Sequence, residues 1–462
     1  MKRLTNTKQM DAFDDIRPYT DSEMVQAMHR VVESEYFPLL AGFIFPDLPV
    51  SAVKDRVLSY RTVREFQHDT MYQLNLQIIS RSTAGLACDG LDKLSPEGHY
   101  LFVSNHRDIM LDSCLLQYLL VAGGLETTQI TFGANLMTNP LVVDIGKSNK
   151  MFRVERPGGS IREFYKSSLH LSSYIRKVLV QDGESLWIAQ RNGRTKDGRD
   201  ATDQGIIKMF SMSGGKDRVA ALAELNIVPV AVSYEWEPCD GAKALELLKS
   251  RTAKYEKAPG EDLQSILSGI ISPKGHVCIN ICDPLTADDI AACGADGVSD
   301  ADFHKAVATL IDSRITPAYE LYPNNYIARD ILEGRAASPQ YTDAQKQAFE
   351  EHLCKAVTAA GVSGANEDEF RKIFLGIYAN PVYKAESGLK ARIRSLIEEA
   401  LPLVDPDSSF LFAELDSLGL MSILMALSGE FGIELSATDA TPRNLMNLDS
   451  IVAMVERKQA AK

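Results

Sequence analysis

Along this 462-residue chain the spacing of hydrophobic positions changes character several times. From about residue 20 to residue 84, apolar residues recur at helical spacing, as in Val63, Phe66, Met71, Leu74 and Ile78 with polar residues between. That period predicts a helical extension over residues 1–85. Short β-branched or aromatic runs then follow one another: His99–Ser104 (HYLFVS), Glu184–Gln190 (ESLWIAQ), Ile227–Trp236 (IVPVAVSYEW) and Gly275–Cys282 (GHVCINIC). Each reads as a strand. Helical stretches separate them, and the one over Ile109–Val121 stops at Gly123–Gly124, a C-terminal cap signal. Alternating strands and helices predict an α/β layer with a mostly parallel sheet flanked by helices, over residues 86–383. The period is helical again between Ala318 and Pro381, and the polar run Lys384–Lys390 (KAESGLK) reads as a flexible linker. A small all-α unit over residues 391–460 closes the chain.

Three amphipathic stretches mark this last unit: Ile393–Leu401, Leu418–Phe431 and Leu445–Val455. In the second, Leu420, Ile423, Leu424, Leu427 and Phe431 fall on one helical stripe. Leu415-Asp416-Ser417-Leu418 stands just before it, so Asp416 and Ser417 sit at a helix N-terminus. Unpaired N–H groups there take a side-chain cap or attract a phosphate. Between Ser395 and Val455, ten acidic residues accompany one basic residue, Arg443.

Composition narrows the function classes. Hydrophobic residues make up 45% and charged residues 24% of the chain, the usage of a globular protein. The 49 Lys+Arg against 62 Asp+Glu give a net charge of −13, which argues against broad nucleic-acid binding, because counterion release needs a basic face. Seven cysteines form no CxxC pair, a pattern of reduced thiols in the cytoplasm. No apolar stretch follows the charged N-terminus, so no secretory signal is expected. The most apolar run, Phe37 to Phe45 (FPLLAGFIF), is far shorter than the ~20 residues of a membrane span and reads as core. No metal-ligand spacing, P-loop or dinucleotide fingerprint is present.

One constellation suits proton transfer. The run HYLFVS leads directly into Asn105-His106-Arg107-Asp108-Ile109-Met110-Leu111-Asp112. A carboxylate on one imidazole nitrogen fixes the tautomer and frees the other nitrogen to take a proton from a hydroxyl. The carboxyl end of a strand in an α/β sheet is also where a ligand crevice forms. Asp112 and Asp108 are both candidates for the partner, Asp108 being close enough to act as a helix cap instead.

The C-terminal unit resembles an acyl carrier protein in its DSL motif, the helix that follows and its acidic surface. That resemblance implies a four-helix carrier, with 4′-phosphopantetheine attached to Ser417 by a phosphopantetheinyl transferase and an acyl group held as a thioester. Residues of roughly 90 to 285 resemble the glycerol-phosphate and lysophosphatidate acyltransferase family. Asn105-His106 with a following Asp is like its first block, and Lys147–Pro157 (KSNKMFRVERP) like its second, with Arg156 in the phosphate-binding position. Trp187–Gly198 (WIAQRNGRTKDG) is like the third and Ile227–Tyr234 the fourth, with its Pro at Pro229. There are two departures. His106 and Asp112 are separated by five residues where the family has four, and Asn192 stands where the family has Glu.

The resemblance implies acyl transfer from a carrier or CoA thioester to a hydroxyl of a phosphate-bearing glycerolipid precursor, glycerol 3-phosphate or lysophosphatidate. His106 would be the general base and Asp112 or Asp108 its partner. Arg156 and Arg194 would hold the phosphate, with Arg191, Asn192, Gly193 and Lys147 nearby. Arg suits that task through its planar fork. Pro157-Gly158-Gly159-Ser160 is a further anion contact at a helix start. A carrier tethered by about ten flexible residues reaches roughly 16–19 Å beyond its arm, which favours delivery within one chain. Arg153, Arg156, Arg162 and Lys166 are the expected docking patch for an acidic carrier. A lipid acceptor implies peripheral contact with the inner face of the cytoplasmic membrane. Two alternatives remain open: a catalytically impaired scaffold, or an acyltransferase whose acceptor has no phosphate.

Overall fold

The computed structural model describes residues 12–137, 139–155, 160–294, 297–336, 338–402 and 404–460. The chain forms two compact units, Met1–Ala379 and Asn380–Lys462. The first is built on seven strands: β1 Thr83–Asp89, β2 Leu101–Ser104, β3 Gln129–Gly133, β4 Met151–Val154, β5 Leu186–Ala189, β6 Ile227–Tyr234 and β7 Gly275–Ile281. Their order in the sheet is β1-β7-β6-β2-β5-β3-β4. Every neighbouring pair is parallel except β6 with β7.

The four runs read as strands are β2, β5, β6 and β7. All residues of β2 and β6 are buried, as expected of strands covered on both faces. Along β2, Leu101 and Val103 join one core cluster with Phe152, Phe210 and Phe303, while Phe102 joins another with Leu115, Trp187 and Val230. Side chains of a strand alternate between faces, so two layers of helices enclose the sheet. The N-terminal helices have their own cluster, and the FPLLAGFIF run contributes the helix Phe37–Ile44, which buries Phe37, Ala41 and Ile44 there. Among the described residues no helix is long and apolar enough to cross a membrane.

Three strands and one helix depart from expectation. The helical period was extended to Ala84, but the helix Tyr72–Ser82 gives way to β1 at Thr83. The strand TAGLACD has little β-branched content, and its pairing with β7 is what makes it a strand. β3 and β4, of five and four residues, pair with each other, and β3 also pairs with β5. The run Lys384–Lys390 is helical rather than irregular. It lies inside the helix Ala365–Ala400, in a segment rich in Lys, Ala, Glu, Leu and Arg, all good helix formers. The second unit packs Ile393, Leu411, Ile423, Leu424, Leu427, Leu445 and Ile451 into a core of its own.

One glycine is required by its surroundings. Gly198 has φ +77°, and a Cβ there would overlap the carbonyl oxygen of Ile377. Gly198→Ala should therefore lower stability by at least about 1–2 kcal/mol in urea unfolding, since a non-glycine residue pays for left-handed backbone and the carbonyl cannot yield freely. An unchanged midpoint would contradict this packing.

Candidate active site

β2 ends at Ser104, and the chain then turns through Asn105 and His106 into the helix Leu111–Ala122. His106 Nδ1 lies 2.8 Å from Asp112 Oδ2. The same oxygen accepts the backbone N–H groups of Arg107 at 2.6 Å and Asp108 at 3.0 Å, while Asp112 Oδ1 accepts the Tyr234 hydroxyl at 2.7 Å. Burial alone would raise the Asp112 pKa, but the bonds from His106, Tyr234 and the backbone prevail and hold it below the ordinary carboxylate value. A carboxylate here means that Nδ1 carries the proton, leaving Nε2 as the basic nitrogen.

Asp108 has another task. Its Oδ1 accepts the N–H groups of Met110 and Leu111 at 2.9 Å each, capping the start of the helix. Burial, reinforced by the charge of Asp112, raises its pKa. Its Oδ2 is buried and has no hydrogen-bond partner. The structure thus places Asp112, rather than Asp108, on the imidazole. Because the N–H groups of Arg107 and Asp108 both turn onto Asp112, the five-residue spacing closes without opening the pair.

Beneath this turn lies a polar network that sequence reasoning missed. Arg107 is fully buried, with Nη2 2.6 Å from Asp200 and Nη1 3.2 Å from Glu237. Lys243 Nζ donates to Glu237 and to the Arg107 carbonyl oxygen, both at 2.6 Å. Asn105 donates to Asp200 at 3.2 Å and to the Val232 carbonyl at 2.9 Å, and the Thr195 N–H donates to the His106 carbonyl at 2.7 Å. These bonds fix the backbone on both sides of the imidazole. Arg107 and Tyr234 lie inside the motif segments, but nothing in their spacing distinguishes a buried ion pair or a tyrosine–carboxylate bond from solvated side chains.

His106 opens onto a cavity of about 500 Å³ at the carboxyl ends of β3 and β5. Its lining includes the apolar Phe132, Leu136, Trp187, Ile206 and Met209, the third-block residues Arg191, Asn192, Gly193 and Arg194, and the acids Glu155, Asp197 and Asp262. Trp187 meets the imidazole edge-on, with ring centres 5.7 Å apart. Arg194 Nη2 donates to Ser265 Oγ at 3.1 Å, but Nη1 is buried without a partner. The Asp108 carboxyl and the Cys239 thiol are electrostatic neighbours of this guanidinium. The third-block residues and His106 therefore share one cavity. Lys147 does not line it: its ammonium sits over the Tyr19 ring, 5.4 Å from the centroid, and burial lowers its pKa. Arg156 and Pro157-Gly158-Gly159 lie outside the described residues. Among the described residues, no group of three or more His, Cys, Asp or Glu side chains is arranged for a metal ion.

In the second unit Ser417 is exposed at the first position of the helix Ser417–Phe431, and Asp416 caps that helix by accepting the Gly419 N–H at 2.8 Å. An exposed hydroxyl beside unpaired helix N–H groups fits a phosphodiester. Six of the ten acidic residues between Ser395 and Val455 lie in ion pairs within the unit: Arg392 pairs with Glu399 and Glu430, Arg394 with Glu398 and Asp407, Lys390 with Asp449, and Lys458 with Asp439. No charged residue lies between Asp416 and Glu430. In the expected basic patch, Arg153 is itself paired with Glu155 at 2.7 Å.

Residues 85–233 match the family model described as Acyltransferase, and residues 389–457 match that described as Phosphopantetheine attachment site. Comparison with curated proteins gives no match. Among solved structures, the chain is similar to the 1-acyl-sn-glycerophosphate (LPA) acyltransferase PlsC from Thermotoga maritima. The identity is 13%, the TM-score 0.32, and the match covers 69% of this chain and 98% of that one. The Signal Recognition Particle 54 kDa protein from Aeropyrum pernix K1 matches at 9% identity and a TM-score of 0.18, over 96% of this chain and 93% of that one. At these scores neither likeness bears on fold or chemistry.

Removing one member of the buried network should be severe. Arg107→Ala removes the cation beside buried Asp200 and leaves Glu237 with Lys243 alone, and the expected loss is about 3–5 kcal/mol in urea unfolding. A loss below about 1 kcal/mol would mean that these carboxylates are solvated or otherwise paired.

Proposed function

We propose that this chain, an acyltransferase domain joined to a phosphopantetheine carrier domain, moves a fatty acyl group from a carrier or CoA thioester to a hydroxyl of a phosphate-bearing glycerolipid precursor. Glycerol 3-phosphate and lysophosphatidate are the acceptors that fit. The observation that carries this proposal is a single cavity lined by both the carboxylate-paired His106 and the guanidinium-bearing Arg191 and Arg194.

In this mechanism His106 Nε2 takes the proton of the acceptor hydroxyl as its oxygen attacks the thioester carbonyl. Asp112 stabilises the resulting imidazolium without itself taking the proton. The carbon–sulfur bond then breaks, and His106 returns the proton to the departing sulfur. Arg194 and Arg191 grip the acceptor phosphate, Arg156 joining them by family position. Asn192 presents both donor and acceptor groups where the family has an acceptor-only carboxylate. The apolar part of the lining takes the acyl chain. When bound at Ser417, 4′-phosphopantetheine supplies the thiol that carries the acyl group. The segment at 384–390 is helical, and the donor is proposed as a carrier or CoA thioester whichever molecule holds the carrier. An inert scaffold has no use for a paired imidazole facing an open cavity, and an acceptor without phosphate makes no use of the Arg191 and Arg194 side chains that line it.

His106→Ala should lower transfer from acyl-CoA to glycerol 3-phosphate or lysophosphatidate by at least about 100-fold while the fold is retained. Full activity in that variant would remove the general-base role. Arg194→Gln should raise the acceptor KM by roughly 10-fold or more, the worth of a hydrogen bond to a charged group, with little effect on an alcohol that lacks phosphate. Co-expression with a phosphopantetheinyl transferase should raise the intact mass by one arm, and Ser417→Ala should abolish the gain. An unchanged parent mass would exclude Ser417 as the attachment point.

A further inference from the structure

The helices Pro323–Glu333 and Asp343–Ala360, and the first part of Ala365–Ala400, lie outside both segments that match a family. They nevertheless reach the polar network beneath His106. Tyr378, on the helix Ala365–Ala400, is fully buried. Its hydroxyl accepts the Glu237 backbone N–H at 3.1 Å and donates to Asp240 Oδ2 at 2.6 Å. Burial, reinforced by the Asp240 charge, holds the phenol pKa well above its ordinary value, so the hydroxyl keeps the proton it donates. His352, on the helix Asp343–Ala360, meets the same Asp240 oxygen at 2.6 Å. Asn325, on the helix Pro323–Glu333, donates to the Tyr378 carbonyl at 2.8 Å.

Three helices thus converge on one tyrosine, and ring packing fixes it further. Phe349 meets the Tyr378 ring edge-on with centres 5.1 Å apart, and the Phe374 ring lies at 5.5 Å. The preceding residue makes a second contact. Pro381 has no N–H for the Ile377 carbonyl one turn earlier, and that carbonyl faces Gly198, where it leaves no room for a Cβ. Gly198 belongs to the third-block loop, whose Thr195 N–H bonds the His106 carbonyl. The route from Tyr378 to the imidazole is also short. Glu237, whose N–H the phenol holds, accepts from Arg107 and Lys243 through its carboxylate. The Arg107 N–H in turn donates to the Asp112 oxygen that bonds His106. Without the phenol oxygen, the Glu237 N–H is a buried donor that has lost its acceptor, and a backbone shift to recover one moves the Glu237 carboxylate.

We propose that Tyr378 is a positioning residue for acyl transfer, fixing the turn that carries His106 by way of Glu237 and Arg107. The helices beyond the acyltransferase-like segment are then part of the working enzyme. The catalytic consequence rests on His106 as the general base; the contacts that reach its turn do not.

Tyr378→Phe in the full chain tests this, because it keeps the ring and removes only the hydroxyl. The kcat for transfer from acyl-CoA to glycerol 3-phosphate should fall about tenfold or more, the cost of a misplaced base. The acceptor KM should stay near the wild-type value, since Arg194 is held by Ser265 and not by this route. Phe370→Leu serves as the control. It opens space beside Phe374 without touching the hydroxyl, and should lower the unfolding midpoint while kcat of the folded protein is unchanged. Hydrogen exchange reads the coupling without substrate: Tyr378→Phe should speed amide exchange about tenfold or more across residues 105–110, and Phe370→Leu should not. Unchanged exchange at 105–110 in Tyr378→Phe overturns the proposal, as does a kcat equal to that of an active wild type. Equal effects of Phe370→Leu on both readouts assign the tyrosine to stability alone and also overturn it. Faster exchange at 105–110, alongside a His106→Ala variant of full activity, would leave the positioned turn standing and remove the general-base reading.

Discussion

The hydrogen bond between the buried Asp112 carboxylate and His106 Nδ1 is the constraint around which the site is built. An imidazole has two tautomers, and only a fixed acceptor on Nδ1 makes Nε2 reliably basic toward the cavity. Four donors converge on Asp112: the His106 ring, two backbone N–H groups and the Tyr234 hydroxyl. That saturation is what permits an ionised carboxylate in an apolar interior, where an unpaired one would be protonated instead. Neighbouring Asp108 shows the contrast. It is equally buried but has one satisfied oxygen, and its pKa moves up where that of Asp112 moves down.

The network of Arg107, Asp200, Glu237 and Lys243 serves the same end. Buried ion pairs add little net stability, because desolvation offsets their attraction. Their effect here is geometric. They tie the turn after β2 to the third-block loop and to β6, and so hold His106 and Arg194 at one cavity wall. The cavity lining combines apolar side chains with both cationic and acidic ones.

Much of this was legible in the sequence, and the exceptions share a cause. Continuous apolar runs such as HYLFVS and IVPVAVSY identify strands buried on both faces, and the stripe Leu420, Ile423, Leu424, Leu427 and Phe431 identifies a helix packed in a small core. The motif order placed His106 with Arg191 to Arg194 in one site. What local pattern could not carry is information held by long-range contacts. β1 is a strand because β7 lies beside it, and Asp112 is the imidazole's partner because the Arg107 and Asp108 N–H groups turn onto it. Lys147 lies in a motif segment yet is placed over Tyr19 by tertiary packing, and the polar run at 384–390 obeys helix propensity rather than its resemblance to a linker.

Nitrogen-15 chemical shifts of His106 in the full chain, measured where the ring is neutral and compared with Asp112→Asn, test the central constraint most directly. The account predicts a proton on Nδ1 and a bare Nε2 in the wild type, with that preference lost in the variant. A wild-type ring protonated on Nε2, or a tautomer indifferent to Asp112→Asn, would contradict it.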